Sequence, residues 1–232
     1  TGKIKNAKKV CISIYEKNPK HFDNLRLLYF IYFKEKNFSK ALSFINEVIK
    51  INPNFAEAYN EQGSTLNQLK ELEKSINSFD KAIKINPNFT HAYHNKGFVL
   101  HELGNIKLAI ENYNEAIKIN PNFIQSHNNK GFAFHQLKKF EESLKSYEKA
   151  FEINPNFNFL LGKIIHTKSL LCKWNSYEED LKTLKNKLIN NKISCLPFTT
   201  LSLFDLPSLQ KKTAEIWIKE KFKKKSNFKK LS

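Results

Sequence analysis

The chain has 232 residues, with 39 lysines and arginines against 22 acidic residues, a formal net charge of +17 and only three cysteines. Cys11, Cys172 and Cys195 are odd in number and far apart with no CxxC pair, which argues against a disulfide framework and suits a reducing, cytoplasmic setting. No apolar run approaches the roughly 20 residues that span a bilayer. Among the 39 cations only Arg26 carries the guanidinium fork that base readout and bidentate phosphate contacts favour, so nucleic acid is disfavoured and the lysines read as solvated surface. The joint excess of Lys, Asn, Ile and Phe is the residue set that codon drift in an AT-rich genome produces.

The chain begins at Thr1 and holds no methionine, so it is expected to be a piece of a longer product. Residues 3–17 place Ala7, Cys11 and Ile14 at helical spacing with no helix before them, and 1–20 therefore reads as the remnant of a truncated repeat. From there Pro19, Pro53, Pro87, Pro121 and Pro155 stand 34 residues apart, the last four inside the phrase Asn-Pro-Asn-Phe. A fixed period in this range marks a supersecondary module that cannot bury its apolar face alone, so neighbours must stack into a solenoid. The expected fold is all-α.

The units run 22–55, 56–89, 90–123 and 124–157, and each predicts a pair of amphipathic helices, A and B. Helix A stacks Tyr59, Tyr93 and His127, then Gly63, Gly97 and Gly131, then Leu66, Leu100 and Phe134. Helix B stacks Ser75, Ala109 and Ser143, then Phe79, Tyr113 and Tyr147, then Ala82, Ala116 and Ala150. Small residues let two helix axes approach, and the aromatic column fills the space between turns. Links at 69–71, 103–105 and 137–139 turn A into B, and Asn-Pro ends B because the residue before proline is pushed out of the α region. The first unit keeps Leu25, Tyr32, Ala41 and Pro53 but has Tyr29 where the others have Gly.

After Pro155 the columns fade. A helix pair is predicted over 158–190, within a degenerate unit at 158–192, broken near Lys173-Trp174-Asn175, with Ile165 at the Gly position and Leu184 at the last small one. Residues 193–232 open with the apolar turn from Ser194 to Phe198. A helix from about Ser208 to Phe222 follows, whose Leu209, Thr213, Ile216 and Trp217 need a partner, and then a lysine-rich tail.

Binding residues are expected on the helix A faces turned away from helix B. At positions 2, 5, 6, 9 and 12 of successive units these include Asn60, then His91, His94, Asn95, Phe98 and His101, then Gln125, Asn128, Asn129, Phe132 and His135. Amides and imidazoles offer donors and acceptors with little net charge, and two phenylalanines add apolar area, which suits an extended peptide main chain. His91 and His94 are one helical turn apart, but no carboxylate or cysteine completes a metal set.

The column pattern resembles the tetratricopeptide repeat family, closely over 56–157 and in degenerate form over 22–55. That resemblance implies a right-handed superhelical solenoid with a C-terminal helical transition segment. The stretch His166-x5-Cys172-Lys173-Trp174-x2-Tyr177, followed by Pro197-Phe198-x2-Leu201-x3-Asp205-x-Pro207-x-Leu209-Gln210, resembles the junction between repeats and catalytic part in O-linked N-acetylglucosamine transferases, the bacterial SPINDLY-like branch above all.

The junction resemblance implies a parent glycosyltransferase that uses a nucleotide sugar such as UDP-GlcNAc on protein Ser and Thr. Its repeats would recruit protein substrates, with Asn95 and Asn129 in the family's asparagine ladder, broken at Glu61. The missing catalytic lobes would then dock on the C-terminal helix. No catalytic residue carries over, because Pro197-Phe198-Thr199-Thr200 stands where animal members carry histidines, and this stretch alone is not expected to transfer sugar. The alternative is a stand-alone repeat adaptor that scaffolds other proteins.

Overall fold

The computed structural model describes residues 2–190, 194–197, 199, 203 and 206–221; the positions Phe198, Leu201, Asp205 and most of the basic tail lie outside them. Its helices are α1 (Gly2–Lys17), α2 (Phe22–Lys34), α3 (Phe38–Ile51), α4 (Ala56–Gln68), α5 (Leu72–Ile85), α6 (Thr90–Glu102), α7 (Ile106–Ile119), α8 (Ile124–Gln136), α9 (Phe140–Ile153), α10 (Leu160–Leu170), α11 (Tyr177–Ile189) and α12 (Pro207–Lys221). No strand occurs among the described residues. Two compact units divide the chain at Thr1–Pro121 and Asn122–Ser232.

In the first unit α2/α3, α4/α5 and α6/α7 are antiparallel hairpins, and in the second α8/α9 forms another. The small columns explain how closely each pair approaches. A Cβ at Gly63, Gly97 or Gly131 would stand 2.7, 2.8 or 2.7 Å from the ring of Phe79, Tyr113 or Tyr147 respectively, so each aromatic ring lies flat in a notch that only glycine leaves open. Two hydroxyls stitch the same hairpins: Ser75 Oγ donates to the Gly63 carbonyl at 2.7 Å and Ser143 Oγ to the Gly131 carbonyl at 2.8 Å. The last small column, Ala82, Ala116 and Ala150 with Val48 in its place in the first repeat, is completely buried.

The ends of the helices follow from local chemistry. Asn52, Asn86 and Asn154 leave the helical region, and the Oδ1 of each accepts the N–H two residues on, at 3.1, 3.0 and 2.9 Å. That Asx turn, with proline next in line, stops helix B at the same place in every unit where it is seen. Between A and B one residue must adopt positive φ. Lys36, Lys70 and Lys138 do so at 61°, 64° and 58°, and only Gly104, at 80°, is the residue suited to it.

Two stretches depart from the column pattern. In α1 only Cys11 of the expected Ala7, Cys11 and Ile14 stripe is buried, against Leu25, Leu28 and their neighbours, where α2 packs on this helix and Tyr15 meets the Phe44 ring of α3. Beyond α9 a different core forms from Leu161, Ile165, Leu184, Leu188, Cys195 and Leu209. The apolar turn folds back onto α10, where the Gly162 N–H donates to the Ser194 carbonyl at 2.9 Å and a Cβ at Gly162 would meet Cys195 Sγ at 2.7 Å. Leu209 and Thr213 of α12, expected to await a separate lobe, are instead buried within the chain, since α12 packs on α11. Among the described residues no helix is long and apolar enough to cross a membrane.

Candidate functional site

The helix A stripes hold the candidate residues, and each compact unit presents its own set. In the first unit the Asn95 amide of α6 donates to Asn60 Oδ1 of α4 at 2.9 Å, which leaves the Asn95 carbonyl and its second N–H to serve a ligand. Phe98 is 40% exposed on the same stripe, an apolar surface with no hairpin partner to cover it. His91 is exposed at the start of α6. His94 differs from expectation: its ring turns toward helix B and lies 5.7 Å from the Tyr113 ring. Burial, helped by His91, pulls the His94 pKa down to about 4, so it is neutral at physiological pH. His101 is half-buried near the C-terminal end of α6.

In the second unit Asn128 and Asn129 are half-buried neighbours, and the Asn128 amide donates to Asn129 Oδ1 at 3.1 Å. Gln125 and Phe132 are exposed, Phe132 by 43%. His135 sits against Phe140, with ring centroids 5.3 Å apart, and against His166 of α10 at 5.8 Å. Burial, then His166 and Lys163, hold its pKa below the ordinary value. An open hollow of about 970 Å³ at the start of α11, lined by Trp174, Tyr177, Glu178, Glu179 and their neighbours, contains none of the stripe residues.

One connection is absent from the expected list. Position 5 of one unit bonds to position 6 of the next: Arg26 to Glu61 at 3.3 Å, Asn60 to Asn95 at 2.9 Å, and Lys163 to Asn128 at 2.7 Å. Glu61, expected to interrupt the ladder, fills its place there with a different chemistry. Lys163 stands one period after Asn129 in the sequence, so the 34-residue spacing carried past Pro155 reaches it. Its ammonium also lies 5.4 Å from the centre of the Tyr147 ring, and burial lowers its pKa to about 8.

Family models described as TPR repeat or tetratricopeptide repeat match residues 30–55, 63–104, 99–138 and 124–157, together just over half of the chain. Solved structures agree on the fold. The crystal structure of MamA is 25% identical, covers 66% of this chain and 90% of its own, and superposes with a TM-score of 0.61. PilW, titled a widely conserved type IV pilus biogenesis factor, is 19% identical over 79% of this chain and 85% of its own, with a TM-score of 0.69. YrrB, titled a TPR protein with an unusual peptide-binding site, is 15% identical over 88% of this chain and 97% of its own, with a TM-score of 0.59. No curated relative matches the chain in sequence. The Gly–aromatic notches, the Asn-Pro stops and the matched repeats make this chain a member of the tetratricopeptide repeat family.

Proposed function

We propose that this chain is a protein-interaction module whose helix A stripes hold an extended segment of a partner polypeptide. The observation that carries this reading is a pair of part-buried amides on the helix A stripe of each unit, Asn60 with Asn95 and Asn128 with Asn129, beside an exposed phenylalanine. Amides fixed by one hydrogen bond keep a donor and an acceptor for a main chain, at little cost in lost freedom. YrrB, similar in fold, is named for a peptide-binding site of its own. Affinity in the micromolar range is expected for a small, transient contact. Titrating short Ser- and Thr-rich peptides into the wild type and into an Asn95→Ala, Asn129→Ala double variant tests the reading. The variant should bind about tenfold more weakly; equal affinities would remove the amides from the site.

A second, finer reading is that the module recruits substrates for an O-linked N-acetylglucosamine transferase-like parent in the cytoplasm, which would draw on a nucleotide sugar. Its support is the spacing of His166, Cys172, Trp174 and Tyr177 ahead of Pro207 and Leu209. That stretch lies beyond the matched repeats, which end at 157. The adaptor reading needs no such partner and accounts for the same groove. Incubating the chain with a sugar nucleotide and an acceptor protein separates transfer from binding, and binding without transfer is expected.

A further inference from the structure

We infer that α12 lies on a membrane surface: its outer face, together with the lysine-rich sequence that follows it, docks the second unit on a bilayer that carries anionic lipids. α12 contributes no residue to the helix A stripes, so peptide binding and membrane docking stand or fall independently.

The two faces of α12 differ in character. Leu209 is buried in the core with Leu184 and Leu188, Ile216 packs beside it, and Thr213 is buried one turn on. That inner face holds the helix on α11. The opposite stripe, at steps of four and three, is Pro207, Lys211, Ala214, Ile218 and Lys221. Ile218 is 51% exposed, and Trp217 next to it is half-buried, with the Lys221 ammonium 4.4 Å from the centre of its ring. An outward isoleucine bracketed by lysines and flanked by an indole is the composition of a helix lying in a bilayer interface. There the aliphatic chain enters the acyl boundary, the indole sits at headgroup depth and the lysine stems reach up to the phosphates.

Charge points to the same surface. Over residues 211–232 nine lysines stand against two glutamates, Glu215 and Glu220. Lys211, Lys219 and Lys221 are exposed, and no ion pair engages any of them among the described residues. Lys212 spends a donor on the Ile189 carbonyl at 2.8 Å, which is a neutral partner. Cations gathered this closely repel one another, and an anionic leaflet relieves that repulsion. In the sequence beyond α12, Phe222, Phe228 and Leu231 alternate with the lysines, so apolar and cationic groups arrive together.

A bilayer fits this mixture better than nucleic acid does. The stretch has no arginine, and a phosphate backbone gives Ile218 nothing to bury against. At 15 residues, with lysines on its outer stripe, α12 is too short to cross a bilayer and lies in its plane.

The experiment sediments the full chain with vesicles of phosphatidylcholine alone and with vesicles holding about 30% phosphatidylserine. The wild type should partition onto the anionic vesicles about tenfold more strongly, and less so as salt rises. In a Trp174→Phe background, where Trp217 is the only indole, its emission should shift to the blue on binding. Lys211→Gln, Lys219→Gln and Lys221→Gln combined should weaken binding about tenfold, and Ile218→Ser alone about threefold. Every variant should keep the wild-type circular dichroism spectrum, because each changes an exposed side chain.

Equal partition onto both kinds of vesicle, or binding to neither, would overturn the docking surface. Anionic binding that ignored Ile218→Ser and left the Trp217 emission unshifted would overturn the seated helix, since plain adsorption of lysines needs neither. A charge-matched duplex DNA should leave the protein on the vesicles; displacement by it would overturn the choice of lipid over nucleic acid.

Discussion

His94 shows how a polar stripe residue becomes part of the folding balance. Its ring rests against Tyr113, and burial with His91 nearby takes its pKa from 6.5 to about 4. Between those values the unfolded chain binds a proton that the folded chain refuses, so stability is full above pH 6.5 and declines as pH falls toward 4. At pH 5 the loss attributable to this group is about 2 kcal/mol. Urea unfolding of the wild type and of His94→Gln at pH 7 and pH 5 checks it: the variant should lose less stability on acidification, and parallel losses would show that other groups set the acid limit. The position was legible in the sequence as part of a stripe. The direction of its ring was not, since spacing fixes the helix face a residue occupies and not its rotamer.

At the scale of elements, the Gly–aromatic hairpin and the rung between successive A helices do different jobs. The hairpin could be read from composition columns, because a glycine opposite an aromatic recurs at fixed spacing. The rung could not, because its chemistry changes at each step: Arg26 with Glu61, then Asn60 with Asn95, then Asn128 with Lys163. The first rung is an ion pair with little exposure, and burial already pushes the Glu61 carboxyl above its ordinary range while Arg26 pulls it back. Removing one partner strands the other, so Arg26→Met alone should cost about 2–3 kcal/mol. Adding Glu61→Gln should recover at least half of that loss. Thermal melts of the wild type, single and double variants measure the coupling, and simple additivity of the two changes would mean that the rung carries no ion-pair energy.

At the scale of the molecule, the chain consists of two compact units, and repeat arrays hold together by contacts between neighbours. Trp174 and Trp217, the only tryptophans, both belong to the second unit and give it an optical label. Gly97 belongs to the first, where any side chain would strike the Tyr113 ring at 2.8 Å. Gly97→Val should therefore lower stability by about 3 kcal/mol through overpacking. It should shift the far-ultraviolet circular dichroism transition further than the tryptophan fluorescence transition. If the two probes moved by the same amount, the units would be unfolding as one.

Periodicity in the amino acids was enough to settle a stacked, all-helical repeat, because a 34-residue recurrence of proline, glycine and aromatics leaves each hairpin one way to bury its apolar face. It also marked the helix A stripe that is proposed here to hold a partner. Three matters needed the three-dimensional arrangement. Gly162 makes its close approach to Cys195 rather than to a helix B ring, α12 packs against α11, and Lys163 donates across a rung to Asn128. Each depends on residues far apart in the chain, or on which of several neighbours reaches a buried group first, and a repeat pattern encodes only what recurs.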